Sequence, residues 1–356
     1  MEHKFDYEWN LKEAIFTKDK GKVFSCFACG GGSTMGYKLA GFDVIGCNEI
    51  DKRIINIYQE NHHPKYAFCE SIQTFKNRKD LPEELFNLDI LDGSPPCSTF
   101  SMAGNREDDW GKEKHFREGQ AKQVLDTLFF DFIDLAKKLQ PKVVVAENVK
   151  GLLIGNAIKY VRKIYDEFDK AGYYCQHFLL NSAYMGVPQR RERVFFICLR
   201  KDLASPFLEH FNLFNEKPKI NMEFNEKPIL FGEIADYNGK ALTDFQRELW
   251  ELKQDGDKSP AEIIMRRDNK LSCFNLLYVK TDSIFPCFCS KGETNYILWD
   301  KPIYVSKTES IKIQSFPLDY NFCGHPEGFI LGMSVPPIMM AQISNRIYEQ
   351  WLSKIK

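Results

Sequence analysis

From Gly21 to about Arg200 the chain alternates short apolar runs with amphipathic ones, and this rhythm restricts the fold more than any other feature. Lys22–Ala28 reads as a strand, followed by Gly30-Gly31-Gly32 and a helix through Leu39. Phe42–Asn48 reads as a second strand, Lys52–Glu60 as a second helix and Leu88–Asp92 as a further strand. Gln120–Leu139 carries Val124, Leu125, Leu128, Phe129, Phe132, Ile133, Leu135 and Leu139 at the three-to-four spacing of a long amphipathic helix, which Pro141 stops. Lys142–Ala146 is a β-branched strand and Ala157–Phe168 a helix. Tyr173–Asn181 and Arg193–Arg200 read as closing strands joined as a hairpin. Strands that alternate with helices are joined by crossovers, so the sheet should be mostly parallel and covered by helices. The expected fold class is α/β, with a Rossmann-like doubly wound sheet.

The rhythm breaks after about Asp202. From there to about Tyr304 the chain has Pro, Asn, Lys and aromatic residues with little helical period, apart from Leu242–Lys253. This stretch reads as a smaller module of short strands and loops. Alternation resumes near Ser306, and Val335–Leu352 reads as a final helix opening on Pro336-Pro337. The expected domains are therefore 1–201, 202–304 and a return over 305–356. A chain of 356 residues is long enough for a main domain and a smaller one. No apolar run approaches a membrane span, and Met1–Asp6 lacks the apolar core of a signal peptide, so a cytoplasmic location is expected.

Eleven cysteines, an odd number scattered through apolar segments, suit reduced thiols better than a disulfide framework. Cys26/Cys29 and Cys287/Cys289 lack a second pair or a His at zinc spacing, so no metal site is expected. The net charge of −1 means that nucleic-acid binding would need a local basic face. Lys112, Lys114, Arg117, Arg190, Arg191, Arg193, Arg266 and Arg267 are the candidates for it; each cluster taken alone reads as a solvated surface.

Gly93-Ser94-Pro95-Pro96-Cys97 places a cysteine after two prolines, just past a strand. Proline fixes its own φ and biases its predecessor toward extended backbone, so the thiol would be held at the carboxyl edge of the sheet, where open α/β folds bind ligands. A thiolate there is a candidate nucleophile; a lone buried thiol in a stiff turn is the plainer alternative. The glycine turn after the first strand would let backbone approach a ligand. About twenty residues on, Glu49 suits a ribose diol, which fits NAD and S-adenosylmethionine equally; it also suits a helix amino terminus. Glu147-Asn148 ends a strand near the cysteine, as a cap or as an acid facing a substrate. Alternate residues on a strand share a face, so Arg191 and Arg193 would point together and suit a phosphate or an aromatic carbonyl, or else form a salt-bridged strand edge.

Taken in order, Pro96-Cys97 with Phe100-Ser101, Glu147-Asn148-Val149, Gln189–Arg193, Gln314-Ser315-Phe316-Pro317 and Gly332–Pro337 resemble the DNA (cytosine-5)-methyltransferases of bacterial and phage restriction-modification type. The resemblance spans nearly the whole chain except about Asp202–Tyr304, where that family carries its target-recognition region. It implies a methyltransferase sheet, S-adenosyl-L-methionine as cofactor and methyl transfer to carbon 5 of a flipped-out cytosine in duplex DNA. Cys97 would be the nucleophile, Glu147 would bind the amino edge and ring nitrogen 3, and Arg193 the base carbonyl. Arg191 would support the pocket or nearby phosphates, and Asn148 would position the cysteine loop. Phe27 would stack on adenine, Glu49 would take the ribose hydroxyls, and Gly30 and Gly31 would cradle the ligand. Ile50, Ile72, Pro96 and Leu128 would line the pocket, which Ser334 and Val335 would complete. Residues 98–119 read as a loop that closes on DNA, with Trp110 as a packing contact or a wedge.

The same resemblance marks departures: Ser25 stands where an Asp is usual, Cys29 where Gly is, Ser71 (with Glu70 beside it) where Asp is, Met333 where Asn is and Ala146 where Phe is. It also implies a monomer, double-stranded DNA as partner, and a companion restriction endonuclease as a possible second one. The rival expectations are an RNA (tRNA) cytosine-5 methyltransferase, a non-catalytic DNA-binding relative, and an NAD-linked redox enzyme that leaves Cys97 and Glu147 unexplained.

Overall fold

The first strand, β1 (Lys22–Cys26), is almost wholly buried and runs between two parallel neighbours, β2 (Asp43–Asn48) and β4 (Ile90–Gly93). The computed structural model describes residues 3–96, 127–155, 157–212, 215–273 and 275–355. Seven strands form one sheet in the order β3-β2-β1-β4-β5-β7-β6, with β3 at Tyr66–Phe68, β5 at Val143–Val149, β6 at Tyr173–Asn181 and β7 at Glu192–Arg200. β3, β2, β1, β4 and β5 are parallel, and β7 runs antiparallel to β5. The chain passes from β5 out to the edge at β6 and then turns back to insert β7 between them. That order is typical of methyltransferase sheets. The central strands read as continuous Val, Ile and Leu because both faces are covered, as a parallel sheet requires.

Among the described residues, the unit with this sheet holds α1 (Gly32–Leu39), α2 (Lys52–His62), α3 (Ile72–Asn77), α4 (Leu128–Leu139), α5 (Ala157–Lys170) and, at the end of the chain, most of a helix over Pro337–Gln350. Phe24, Cys26, Leu91, Val144, Ala146, Val194, Phe196 and Cys198 share one sheet face with the apolar sides of α3, α4 and α5. Burying an aromatic or aliphatic side chain of this size stabilises by about 1.5–3 kcal/mol, so this cluster is a main source of the sheet's stability. Tyr37 of α1 serves the opposite face.

The chain divides into two compact units. One comprises Ile15–Leu180, Glu192–Glu223 and Met340–Lys356 and holds the seven-stranded sheet. The other comprises Met1–Ala14, Asn181–Arg191 and Phe224–Met339. The second unit contains α6 (Asp244–Glu251), α7 (Pro260–Asp268), the short parallel pair β10 (Leu277–Val279) and β11 (Tyr296–Leu298), α8 (Lys307–Ile313) and α9 (Glu327–Met333); the first unit also holds the small hairpin β8 (Leu208–Asn212) and β9 (Asn215–Pro218), and the terminal helix is α10. The core of the second unit gathers Leu242, Leu249, Ile263, Ile264, Tyr278, Ile297 and Tyr304.

Several boundaries differ from expectation for local reasons. β1 ends at Cys26 rather than Ala28 because Phe27 turns to φ 52° and breaks the extended run. β5 continues past Ala146 to Val149 because antiparallel β7 pairs with it along that whole length. α7 is a helix where loops were expected; its local signals, Pro260 at the start and Asn269 in the left-handed cap, lie in a stretch with little apolar period. The expected helix over Gln120–Leu139 is described only from Leu128, with residues before 127 outside the described range.

Candidate active site

Strand register alone gathers the chemistry-bearing residues. Asn48, Cys26, Gly93, Ala146 and Phe196 form one cross-strand row over β2, β1, β4, β5 and β7. One step past that row, at the carboxyl edge of the parallel strands, stand Glu49, Phe27, Ser94 and Glu147. This edge lies where the order reverses between β1 and β4, the place where open α/β sheets bind ligands.

At β4 the chain leaves as Ser94-Pro95-Pro96, with Pro95 buried and Pro96 half-buried. Asn148 Nδ2 donates to the Pro95 carbonyl at 3.2 Å, and its Oδ1 accepts the Val149 amide at 2.9 Å. The side chain is buried, so both its polar ends are used to fix the double-proline turn to β5. Cys97 and residues 98–126, including Trp110 and the loop over 98–119, lie outside the described residues.

On β5, Glu147 pairs across to Phe195, and Arg193 stands two residues from Phe195 on the same face of β7. Its Nε lies 3.1 Å from Glu147 Oε1, with both side chains mostly buried at 16% and 13% exposure. Arg193 Nη1 also donates to the Glu192 carbonyl at 2.8 Å. A carboxyl beside a fixed guanidinium offers an acceptor for an amino group or ring N–H next to a donor for a carbonyl. That is the hydrogen-bonding edge of a cytosine.

Arg191 has a different fate from Arg193. The strand begins only at Glu192, so the alternation that would put both arginines on one face does not reach it. Arg191 is buried; its Nη1 donates to the Phe288 carbonyl at 3.0 Å and its Nη2 to the Gly332 carbonyl at 2.9 Å. This makes it a clamp on the backbone of its own unit. Gln189 and Gln314, buried and hydrogen-bonded to each other, extend the clamp; Gln189 reaches the Ile313 carbonyl at 2.9 Å and Gln314 the Ser334 carbonyl at 3.2 Å. Ser334 and Val335 are buried there, at the end of α9.

The turn after β1 is built for close approach. Gly31 has φ +79°, and a Cβ on it would stand 2.1 Å from His62 Nε2. Cys29 also turns left-handed, at φ 47°. Glu49 accepts the Cys29 amide and the Asp51 amide, each at 3.0 Å; burial still pushes its carboxyl above the usual range. Phe27 is half-buried, its ring 6.4 Å from Phe132. Bare backbone at Gly30 and Gly31, a half-buried ring and an acid at the next strand end form a donor set that fits an adenosine-bearing ligand. Ile72 and Leu128, the first residues of α3 and α4, are buried in the sheet core at 2% and 1% exposure, whereas Ile50 is half-buried.

Of the departures, Ser71 caps α3 by accepting the Thr74 amide at 3.1 Å, and Glu70 pairs with Arg78 at 3.1 Å. Met333 is exposed and Ala146 is fully buried. Among the basic candidates, Arg266 pairs with Asp257 at 2.9 Å, Arg267 pairs with Asp268 at 2.9 Å and Glu248 at 2.8 Å, and Arg190 is exposed; Lys112, Lys114 and Arg117 lie outside the described residues. Sequence reasoning missed Asp92 and His62. Asp92 was read as a strand end, although an acid within the apolar run Leu88–Gly93 was the available signal.

Comparison with known proteins gives a consistent result. Residues 21–349 match the family described as C-5 cytosine-specific DNA methylase. The chain is 38% identical to the type II methyltransferase M.FnuDI of Fusobacterium nucleatum, over 94% of this chain and 96% of that one. It is 27% identical to the type II methyltransferase M1.HphI of Haemophilus parahaemolyticus, over 90% and 85%. Among solved structures, a protein described as a DNA modification methyltransferase encoded within a prophage of E. coli superposes with a TM-score of 0.63 at 20% identity, covering 92% of this chain and 99% of that one. DNMT2 of Spodoptera frugiperda superposes at 0.58 and 19% identity, covering 92% and 99%. These two share the fold.

Proposed function

Because the chain belongs to the C-5 cytosine-specific DNA methylase family, which uses S-adenosyl-L-methionine to methylate carbon 5 of cytosine in DNA, we propose that Cys97 is its nucleophile and that Glu147, Asn148 and Arg193 are the residues that serve it. The register row carries this reading: it aligns the double-proline turn with Glu147 on one side and with Phe27 and Glu49 on the other.

The residue types follow from the chemistry. Carbon 5 of cytosine is too weakly nucleophilic to take a methyl group unaided. Addition of the Cys97 thiolate to carbon 6 turns the ring into an enamine while Glu147 holds a proton at ring nitrogen 3. Arg193, fixed by Glu147, donates to the base carbonyl. When bound, S-adenosyl-L-methionine would supply an electrophilic sulfonium methyl for carbon 5, its sulfur leaving as the neutral thioether. Loss of the carbon-5 proton then restores the double bond and expels the thiolate. Sulfur suits both halves, since it adds readily and leaves readily. Asn148 keeps the turn before Cys97 in place, and Arg191 acts on its own unit. Phe27, Gly30, Gly31 and Glu49 would hold the adenosine end, with Ile50 and Pro96 beside it. A base can reach such a pocket only by leaving the helical stack.

In this reading the enzyme works as a monomer in a bacterial or phage-infected cytoplasm, on a duplex site read by residues within 202–304. The restriction-modification character of the relatives supports a companion endonuclease. Duplex DNA carrying 5-fluorocytosine at the target should form a stable adduct with the wild-type protein and none with Cys97→Ser. An adduct that survives the substitution, or labelled methyl appearing only in tRNA, defeats the proposal.

A further inference from the structure

Asp92 is a buried acid to which the methyl-transfer scheme gives no task. It sits on β4 one residue before Gly93 and is 1% exposed. The register sets it opposite Ser25 of β1. Ser25 Oγ donates to its Oδ2 at 2.7 Å, and the Tyr37 hydroxyl of α1 donates to its Oδ1 at 3.3 Å. Ser25 lies two residues before Phe27, and Asp92 lies three before Pro95. One carboxyl therefore joins the ends of the strand that feeds the glycine turn and the strand that feeds the double-proline turn. On its other side Asp92 pairs with Val145, and Glu147 follows two residues along β5 on the same face.

We propose that Asp92 is a positioning residue for methyl transfer, aligning the ends of β1 and β4, and that it does so as the carboxylate. The inference rests on the reading of Cys97 and Glu147 above. An ionised carboxyl accepts at both oxygens, so Ser25 and Tyr37 both donate and the join has one geometry. A proton on either oxygen makes that oxygen a donor, so the hydroxyl facing it must accept and turn its own hydrogen elsewhere. Bonds to the charged form are also stronger.

The surroundings place this exchange near neutrality. Burial pushes the Asp92 carboxyl up to about 7, the hydroxyls of Ser25 and Tyr37 pull it down, and the charge of Glu147 pushes it up further. Cys26 and Tyr37 are themselves pushed up, by burial first and then by the charge of Asp92.

The test follows single-turnover methyl transfer from labelled S-adenosyl-L-methionine to duplex DNA across the neutral pH range, with calorimetric cofactor binding and thermal unfolding alongside. The wild-type rate should rise about tenfold through a midpoint near that of Asp92, the effect of one charge-assisted bond. Asp92→Asn should give a low rate with no such rise, and its cofactor affinity should lose the same pH dependence. Ser25→Ala should move the midpoint upward, and Tyr37→Phe should move it upward by less. An Asp92→Asn profile that keeps the wild-type midpoint overturns the proposal, as do unmoved midpoints in both hydroxyl variants. If the wild type transfers no methyl to duplex DNA, the functional reading falls and this inference with it; transfer with unaltered profiles removes the inference alone.

Discussion

Three residues in five at the turn after β1 adopt left-handed backbone: Phe27 at φ 52°, Cys29 at 47° and Gly31 at 79°. For residues with a Cβ this conformation costs about 1–2 kcal/mol each, and such strain gathers where a chain must approach a ligand. The turn survives because Glu49 anchors the Cys29 amide and the end of α2 braces it, with His62 Nε2 3.3 Å from the Gly30 carbonyl. Gly31→Ala tests this at the scale of one residue. Its methyl group would have to displace the His62 ring and sit at an unfavourable φ. A stability loss of about 1–3 kcal/mol is expected, with cofactor affinity falling about tenfold or more as the brace shifts. Calorimetry that finds wild-type affinity in a folded Gly31→Ala protein contradicts this account of the turn. The glycines were legible as a ligand turn from sequence. The strain was not, because nothing in Phe27-Ala28-Cys29 announces a positive φ.

Among elements, the packing of α4 on β4 is a tight constraint near the site. A Cβ at Gly93 would stand 2.5 Å from Phe132 Cε2, and Phe132 is fully buried in the sheet core. Gly93 is thus small because an aromatic ring on α4 presses on the last residue of the strand that leads to Cys97. Gly93→Ala should cost about 1–3 kcal/mol by overpacking. Phe132→Leu should cost about 1–3 kcal/mol alone, as a partial truncation of a buried ring. The double variant should be less destabilised than the two losses added, because leucine vacates the space the new methyl needs. A double-mutant cycle in urea denaturation measures this coupling, and strict additivity would remove the explanation. Elements with strong periods were legible to within a few residues: β2, β6, β7, α2 and α5 sit where their apolar spacing put them. The site was legible in part for the same reason. Glu147 and Arg193 stand out as charged residues near strand ends, and the structure pairs them; Cys97, also singled out by the sequence, lies outside the described residues. Asp92 did not, since its meaning depends on Ser25 lying opposite, and cross-strand register is not written in either segment alone. Arg191 misled because alternation applies only inside a strand, and the strand begins one residue later.

For the whole molecule, buried titratable groups set how stability answers to pH, and two of them oppose one another. Asp92 has its carboxyl raised to about 7, chiefly by burial, so the folded state holds its proton more tightly than the unfolded chain does. Its contribution is fully present below the ordinary carboxylate value and is lost as pH rises toward 7. His62 is pushed down to about 3, by burial first and then by the charge of Lys38, so the folded state resists protonation there. Its contribution is present above the ordinary imidazole value and is lost as pH falls toward 3. Each shift spans about three pH units, equivalent to about 4 kcal/mol at 1.36 kcal/mol per unit. Between the two ordinary values the slopes have opposite sign, and the wild-type stability should change little there from these two groups. Asp92→Asn removes the falling slope and leaves the rising one. Relative to wild type, the variant should gain stability as pH climbs from the ordinary carboxylate value to above 7, by up to about 4 kcal/mol. His62→Gln should do the reverse: with the rising slope gone, its stability should decline over the same window. Urea denaturation of the three proteins at several pH values reads all three curves. Parallel curves would show that neither buried group carries the linkage, and with it the titration assigned to Asp92 in the join between β1 and β4.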